Sequence, residues 1–457
     1  MDKSISGLLV HDRQFYKTFI RLCTALMLEQ AVVLSVNLAD NIMLGTYSEA
    51  ALSGVAAVNQ IQFVYQQLVY AIGTALITLA SQYWGQKRMK EIRKICAIGF
   101  WFEIAIGMLL FILVSAFPRG AVGLFTNQSL FIDQGAAYLQ IMRFSYLFFA
   151  MTVLMLNAMR VVEIVRIALK VSVISLVINV SINYLLIAGR FGLPEMGARG
   201  AAVGTLTARI VEFLIVSAFV LRDKKLSLRI RDLSFLAVRG SLFGDFVRVL
   251  FPTLCSALLW GAANAMQTVI LGHMNDSAIA AQSISNTVFL LLKVTAQGAA
   301  AAAAVIIGKT VGEGDFRRVR DYTRTLQILF AGIGLTLAVI MLAVRMPLLH
   351  IYGHEITAET RQLANAYMII QSAVLLVTSY QMPVNAGIIR GGGDVKFIMY
   401  LDTIAIAVFI PLSALAGLVW HWPPIPVILC MNADQFLKCI PAFIRVNSYK
   451  WVRKLTR

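Results

Sequence analysis

Charged residues are scarce in this sequence: they make up 14% of its 457 residues, whereas 59% are hydrophobic. A soluble domain is usually about one quarter charged, so the shortage of charge excludes a soluble enzyme of several domains. An intrinsically disordered chain is excluded as well, because such chains hold few apolar residues. The remaining class is an integral membrane protein, and the mean hydropathy of +0.76 agrees with it.

Cysteine and histidine are also rare, with five residues of each type. No two cysteines have the C-x-x-C spacing and the histidines are scattered, so neither a disulfide framework nor a zinc site is indicated. The glycine-rich stretches at 312–315 and 391–394 do not fit the phosphate-binding loop pattern, and tight turns explain them better. We therefore expect a protein that is not an enzyme, has no cofactor and takes its energy from an ion gradient or the membrane potential.

Long apolar runs fill most of the chain. A helix that spans a bilayer needs roughly 20 apolar residues, and twelve runs of about this length can be marked. The sequence therefore predicts an all-α integral membrane protein with 12 transmembrane helices. The runs lie near 20–44, 52–80, 94–116, 133–156, 167–189, 200–221, 246–271, 279–307, 323–350, 360–388, 395–420 and 424–444.

The net charge of +17 is unevenly distributed. Most Lys and Arg residues fall in the two termini and in the even-numbered connections between runs, for example at 87–94, 222–225, 317–320 and 450–454. Basic connections favour the cytoplasmic side of a membrane, which places both termini in the cytoplasm. The basic loops would then face anionic membrane lipids, and nucleic acid is not expected as a partner.

The two halves of the chain repeat each other. The segment 40–45 is echoed by 267–272, and Gly45, Ala51 and Asn59 have identical counterparts 227 residues later. Because six spans separate corresponding points, both halves cross the membrane in the same direction. Two six-helix lobes related by a pseudo-twofold axis along the membrane normal are therefore predicted. The predicted lobes are 1–221 and 246–457, joined by a cytoplasmic linker at 222–245.

Polar side chains recur on one face of the first run. Gln30, Asn37 and Asp40 share a helical face by their spacing, and Glu29 lies close to it. An ionisable group inside a bilayer is costly, so Asp40 is a candidate ion site; a solvated helix cap at the membrane edge is the alternative.

Other apolar runs also contain polar groups at helical spacing. Asn179 and Asn183 are four residues apart and share a helix face. Arg209 and Glu212 are three residues apart and are expected to form an ion pair. Asp434 and Lys438, four residues apart, are expected to form another. Glu103 and Arg143 are single embedded charges. The amide side chains on the second run have two interpretations: they line a substrate cleft, or they form hydrogen bonds between helices. The cleft candidates are Gln30, Asn37, Gln62, Gln66, Tyr146, Trp260, Lys293 and Asp402.

Several segments resemble the multidrug and toxic compound extrusion (MATE) family, and the resemblance covers nearly the whole chain. They are SVNLADNIMLG, LASQYWGQK, VINVSINYLLIAGRFGLPEMGARGAAVGT, VILGHMNDSAIAAQSISN, IIRGGGDVKF and SYKWVRKL, the last of which looks like the tail of bacterial members.

The resemblance implies an ion-coupled exporter of organic, cationic small molecules in a bacterial inner membrane, acting as a monomer. The coupling ion is a proton or sodium, and no metal is expected beyond sodium at Asp40. By motif, the ion-coupling residues of the N-terminal lobe fall on Asp40, Asn179, Asn183 and Thr205. Asn183 stands where some members carry an aspartate, so the choice between proton and sodium stays open.

The second lobe departs further from the family pattern. Trp260 and Ser379 stand where sodium-coupled members carry acidic residues, so an ion site of that type is not expected there. Two alternative functions remain at this stage. A flippase for a lipid-linked precursor would use Lys293, Arg209 and Arg143 to hold a pyrophosphate, and a non-transporting membrane scaffold or sensor would bind a ligand without flux.

Overall fold

A computed structural model describes residues 9–223, 225–226, 230–233, 240–274, 276–351 and 356–456. Within these ranges the regular structure is helical and contains no strands. Part of the predicted linker 222–245 lies outside the described residues. The helices are α1 (Arg13–Tyr47), α2 (Glu49–Gly85), α3 (Met89–Ala116), α4 (Pro118–Gly123), α5 (Ser129–Met142), α6 (Ser145–Val161), α7 (Arg166–Leu186), α8 (Ala198–Arg222), α9 (Ser241–Gly272), α10 (Asp276–Glu313), α11 (Phe316–Ile351), α12 (Ala358–Met382), α13 (Val395–Ala414), α14 (Pro424–Met431) and α15 (Ala433–Ser448).

The helices account for the predicted spans. In the described part of the chain, eleven helical segments are long and apolar enough to cross a membrane. The consecutive helices α5 and α6 are together long and apolar enough as well, with a bend of 53° at the break between them, and counted as one span they bring the number to twelve. Short π-helical turns at Pro383–Ile389 and Leu415–Val419 extend α12 and α13. The prediction of an all-α membrane protein with twelve spans is confirmed.

The chain forms two compact units. The N-terminal unit is Leu28–Leu254, and the C-terminal unit contains Cys255–Arg457 together with the residues up to Met27. Each unit has an apolar core of side chains that are almost fully buried, which is the expected result of packing helices on their apolar faces. The core of the N-terminal unit includes Leu44, Val58, Val69, Leu139 and Ala202, and that of the C-terminal unit includes Ile270, Ala281, Tyr367, Val427 and Ile428.

The first half of α1 belongs to the C-terminal unit. A Cβ atom at Gly298 of α10 would lie only 2.8 Å from the Cys23 carbonyl oxygen, so the glycine permits close contact with α1. The Phe15 ring lies 4.4 Å from the Tyr322 ring of α11. Asp12, three residues before Phe15, accepts a hydrogen bond of 2.9 Å from the Tyr322 hydroxyl. The structural boundary therefore differs from the predicted one, which put all of residues 1–221 in one lobe.

The first part of α9 belongs to the N-terminal unit in the same way. Phe102 of α3 lies 5.9 Å from the Phe243 ring and 5.8 Å from the Phe246 ring, measured between centroids. The predicted boundary at residue 246 followed the edge of an apolar run. In the structure the boundary falls inside α9, between Leu254 and Cys255.

A glycine turn holds the C-terminal tail, residues 449–456. The fully buried Trp451 ring lies against Gly392, and the Arg453 backbone N–H donates to the Gly392 carbonyl oxygen at 2.8 Å. The buried Asp394 forms ion pairs with Arg445 and Arg453. The glycine-rich stretch at 391–394 thus anchors the end of the chain, and its lack of side chains makes room for an indole.

Gly392→Ala is expected to displace this tail, because the new Cβ would lie 2.2 Å from the Trp451 ring. Losing the packing of a buried Trp costs about 3–5 kcal/mol. The melting temperature of the detergent-solubilised protein should fall, and carboxypeptidase should digest the tail. Gly332→Ala on α11 is the matched control, because nothing lies within 4 Å of a Cβ there. Normal melting with a protected tail in Gly392→Ala would contradict the prediction.

Candidate functional site

Four polar side chains from α1, α7 and α8 form one hydrogen-bonded chain in the N-terminal unit. Asn183 Nδ2 donates to Asp40 Oδ1 at 2.6 Å and lies 3.3 Å from Asn179 Oδ1. Asn179 Nδ2 in turn donates to Thr205 Oγ1 at 3.2 Å. We name these four residues the Asp40 cluster. They are the four residues that the family resemblance implied for ion coupling.

The local sequence explains how the cluster assembles. Asn179 and Asn183 lie one turn apart on α7 and therefore point the same way. Gly204 lets α8 approach them closely, since a Cβ atom there would lie 2.1 Å from Asn183 Oδ1. Small residues permit such close contact between membrane helices. The position of Gly204 was not recognised from the sequence, although it directly precedes Thr205.

The cluster is largely enclosed by protein. Asn179, Asn183 and Thr205 are buried, and Asp40 is half-buried. The buried Tyr138 side chain lies beside Thr205. Asn183 Oδ1 is buried without a hydrogen-bond partner among the described residues. A buried polar atom normally has a hydrogen-bond partner, so Asn183 Oδ1 is available to accept a hydrogen bond.

The chemistry of the cluster suits a small hard cation. Its acceptors are a carboxylate, two amide oxygens and a hydroxyl, and oxygen ligands of this kind bind hard cations. The carboxylate also accepts a proton. The residues present therefore fit both coupling ions that the sequence left open.

Arg209 is a basic group that acts on this region. It forms an ion pair with Glu212, with 2.8 Å between Nη1 and Oε2, as the helical spacing predicted. Its guanidinium carbon also lies 4.8 Å from the centroid of the Phe149 ring. Arg209 interacts electrostatically with Asp40 but forms its close pair with Glu212.

Glu29, which the sequence placed close to the polar face of α1, forms an ion pair with a residue of α6. Glu29 Oε1 lies 2.5 Å from Arg160 Nη2 of α6, and Arg160 Nη1 donates to Asn157 Oδ1 at 2.9 Å. Both charged side chains are largely buried. This ion pair was not predicted, because no sequence spacing connects Arg160 to Glu29.

The substrate-cleft candidates have varied environments. Gln30, Gln62 and Gln66 are half-buried, and Asn37 and Trp260 are exposed. Tyr146 differs from the expectation of a cleft-lining side chain: it is 1% exposed and packs in the N-terminal core, with its ring 5.1 Å from that of Tyr65. The Tyr146 ring thus packs at a tilt of 56° against Tyr65 in the core, a role that the sequence alone could not distinguish from ligand binding.

A second buried polar group lies in the C-terminal unit. Lys438 Nζ of α15 lies 3.0 Å from Asp402 Oδ1 of α13 and 3.7 Å from Asp434 Oδ2. Gln435 Nε2 donates to Asp434 Oδ2 at 2.6 Å, and Gln435 Oε1 accepts from Thr378 and Gln381. We name these residues the Lys438 cluster. The sequence predicted the pair within α15 but not the closer pair with Asp402.

The two single embedded charges lie outside both clusters. Glu103 is fully buried on α3, and neither of its carboxyl oxygens has a hydrogen-bond partner among the described residues. Arg143 lies at the break between α5 and α6, with its guanidinium carbon 4.9 Å from the Phe144 ring and 5.7 Å from the Phe111 ring.

Comparison with known families decides the classification. The model of the MatE family matches residues 25–185 and 252–415, one block in each half of the chain. The chain belongs to the MatE family. It is accordingly a multi-pass membrane transporter of the MATE multidrug efflux family.

Curated relatives and solved structures agree with this assignment. The chain is 27% identical to the probable multidrug resistance protein NorM of Thermotoga maritima, over 74% of this chain and 72% of the relative. It is 20% identical to the uncharacterized transporter YisQ of Bacillus subtilis, over 96% of each chain. A mutant of the Vibrio cholerae MATE transporter VcmN has the same fold, with a TM-score of 0.85, 16% identity and coverage of 97% of this chain and 98% of the other.

Proposed function

We propose that this MATE transporter exports organic, mainly cationic, small molecules in exchange for protons or sodium ions. The observation that supports the proposal is the Asp40 cluster, which combines one half-buried carboxylate with buried amide and hydroxyl groups. Ionisable residues within membrane spans are rare and usually serve transport. We also propose a bacterial inner membrane as the location, with both termini in the cytoplasm as the basic connections predict.

In the proposed mechanism Asp40 alternates between a charged form and a protonated or sodium-bound form. The charged carboxylate accepts a hydrogen bond from Asn183 Nδ2. A protonated carboxyl group instead needs an acceptor for its O–H, and a terminal amide offers one if it rotates by half a turn. Asn183 Oδ1, which has no partner among the described residues, would then accept from Asp40.

Rotation of this amide would also affect α7 and α8. The contact of Asn183 Nδ2 with Asn179 Oδ1 would be lost, and Asn179 is the donor to Thr205. Neutralisation of Asp40 would therefore change the contacts among three helices. A ligand shifts a conformational equilibrium only through a difference in its affinity for the two states, and here the coupling ion would supply that difference through α1, α7 and α8.

The membrane potential supplies enough energy for export when the exchange moves one net charge, for example two coupling ions inward against one monovalent cation outward. One elementary charge that crosses a potential of about 100 mV releases about 2.3 kcal/mol. This corresponds to a concentration ratio of roughly fifty-fold.

Asp40→Asn tests this role directly. Asparagine matches the size of a protonated aspartate but cannot titrate, so gradient-driven ethidium movement in proteoliposomes should fall to the rate of protein-free liposomes. Imposing either a pH gradient or a sodium gradient identifies the coupling ion. Asp133→Asn is the matched control, because Asp133 is exposed and pairs with Arg119 at the surface. Transport by Asp40→Asn at the wild-type rate would refute the role of Asp40.

A lipid flippase is less well supported by the structure. Of the three basic residues considered for holding a pyrophosphate, Arg209 forms a close ion pair with Glu212. An assay of lipid flipping in the same proteoliposomes, run beside ethidium transport, distinguishes the two functions.

A further inference from the structure

The proposed export needs a second titrating group if the membrane potential is to drive it. Exchange of one proton for one monovalent cation moves no net charge, so it takes no energy from the potential. The Asp40 cluster contains a single carboxylate, because its other members are amides and a hydroxyl. A second proton therefore requires another acid within the spans.

Glu103 is the candidate among the buried acids of the N-terminal unit. Glu29 and Glu212 each form a close ion pair with an arginine. Glu103 is fully buried, and within the described residues neither of its carboxyl oxygens has a hydrogen-bond partner. A buried polar group without a partner is rare in proteins and calls for a functional explanation.

Glu103 lies on the face of α3 that packs into the core of the N-terminal unit. Ile106, Gly107 and Leu110 share this face, because they follow Glu103 by three, four and seven residues. Ile106 and Leu110 pack against the core. A Cβ atom at Gly107 would lie 3.2 Å from the Tyr65 hydroxyl oxygen, and Tyr65 interacts electrostatically with Glu103. The carboxyl group is therefore directed at the hydroxyl groups of this core.

Three buried tyrosines belong to the core that adjoins both Glu103 and the Asp40 cluster. The Tyr65 hydroxyl donates to the Tyr146 carbonyl oxygen at 2.7 Å, and the two rings lie 5.1 Å apart. Tyr138, which lies beside the Asp40 cluster, belongs to the same core. Because Tyr65 uses its hydrogen for a carbonyl group, its oxygen can accept from a protonated Glu103 but cannot donate to a charged one.

Charged groups on the other segments packed against α3 approach other sides of it. Trp101, Phe102 and Phe111 make the contacts. Trp101 and Phe102 do not share a face with Glu103, because residues one or two positions apart on a helix do not face the same way. Phe111 lies about two turns further along. The charged residues on those segments are Asp232, Asp245 and Arg143, and Arg119 of α4 pairs with the exposed Asp133.

We propose that Glu103 is a second proton-binding residue of the transport cycle, in addition to Asp40. In the conformation of the structure the enclosed side chain carries the proton, since a charge buried without a partner is costly. A conformation that admits water to this face of α3 releases it. Such a difference in proton affinity shifts the equilibrium between the two conformations. The inference rests on the proposed function, because it takes protons as the coupling ions.

Infrared spectroscopy tests whether Glu103 exchanges a proton. The carbonyl stretch of a protonated carboxyl group disappears when the group ionises, so the difference between spectra at acidic and alkaline pH shows each acid that titrates. Glu103→Gln should remove one component from the spectrum of the full-length protein in detergent, whereas Asp40→Asn should retain that component. Glutamine matches a protonated glutamate in size, so the fold should persist, and Glu103→Asp should again show a titrating carboxyl group.

An acid with a purely structural role keeps its proton at both pH values and contributes nothing to the difference spectrum. Glu91→Gln is the matched control, because Glu91 lies at the start of the same helix and pairs with Arg88. A difference spectrum of Glu103→Gln that equals that of the wild type would overturn the inference.

The dependence of transport on the membrane potential gives a second test. In proteoliposomes, potassium and valinomycin set the potential independently of the pH gradient. Wild-type protein should accumulate ethidium in response to either force. Glu103→Gln should move one proton fewer per ethidium, so it should respond to the pH gradient and lose its response to the potential. A response to the potential as large as that of the wild type would contradict the proposed role.

The two measurements keep the proposals separate. If the wild type moves no ethidium under any gradient, the exporter function fails, and the infrared signal still decides whether Glu103 exchanges a proton. If the wild type moves ethidium and Glu103→Gln matches it in both measurements, only the role of Glu103 fails.

Discussion

Glu29→Gln is expected to lower the free energy of unfolding by about 3–5 kcal/mol, the usual cost of removing one partner from a buried ion pair. The variant would leave the Arg160 guanidinium, whose side chain is only 16% exposed, without its carboxylate. Asn157 would still accept from Arg160, but an amide does not neutralise a charge. Equilibrium unfolding in mixed detergent micelles measures the loss.

A double variant separates the pair from its surroundings. Glu29→Leu combined with Arg160→Met removes both charges and should recover most of the stability, because a buried ion pair is often no better than apolar packing. Asp133→Asn breaks the exposed pair with Arg119 and should cost at most about 1 kcal/mol. The role assigned to the buried pair is wrong if Glu29→Gln costs no more than this surface control.

Gly204→Ala is expected to reduce gradient-driven transport about tenfold or more, the factor that corresponds to losing one hydrogen bond to a charged group. The new Cβ would lie 2.1 Å from Asn183 Oδ1, so the Asn183 amide has to move away from Asp40. The protein should still fold, because alanine favours helix more than glycine does. Initial rates in proteoliposomes measure the change, and melting temperatures verify the folding.

Two comparisons make this prediction specific. Gly261→Ala places the same methyl group on α9 where nothing lies within 4 Å, so its transport should match the wild type. In an Asn183→Ala background, Gly204→Ala should have little further effect, because the side chain with which it collides is gone. Additive losses in the double variant would show that Gly204 acts elsewhere, since residues that act through one contact are not additive.

Part of the Asp40 cluster could be predicted from the sequence because its spacing is local. Asn179 and Asn183 lie one turn apart on one helix, so their shared direction follows from helix geometry. The polar face of the first run indicated Asp40, the family motifs added Thr205, and the hydrogen bonds of the structure bring all four together. The importance of Gly204 could not be predicted from spacing along one helix, because it depends on how closely α8 approaches α7.

The C-terminal unit shows the limit of such reasoning. Asp434 and Lys438 were expected to pair from their spacing, and they do lie within 3.7 Å. The shorter contact of Lys438, however, is with Asp402 of α13, which lies far away in the sequence. A partner on another helix depends on which faces of the two helices meet.

The amino-acid sequence by itself determined the membrane class, the twelve spans, the internal repeat and the local pairs along each helix. The repeat is visible directly in the matching residues, and the other features follow from bilayer thickness and helical periodicity, which act over about twenty residues or fewer. Only the tertiary structure decided that α1 and α9 are each divided between two units, that Glu29 pairs with Arg160, and that Tyr146 belongs to a core. Those outcomes depend on close packing between helices distant in the chain, at contacts such as Gly298 with Cys23, where the absence of a side chain sets the distance.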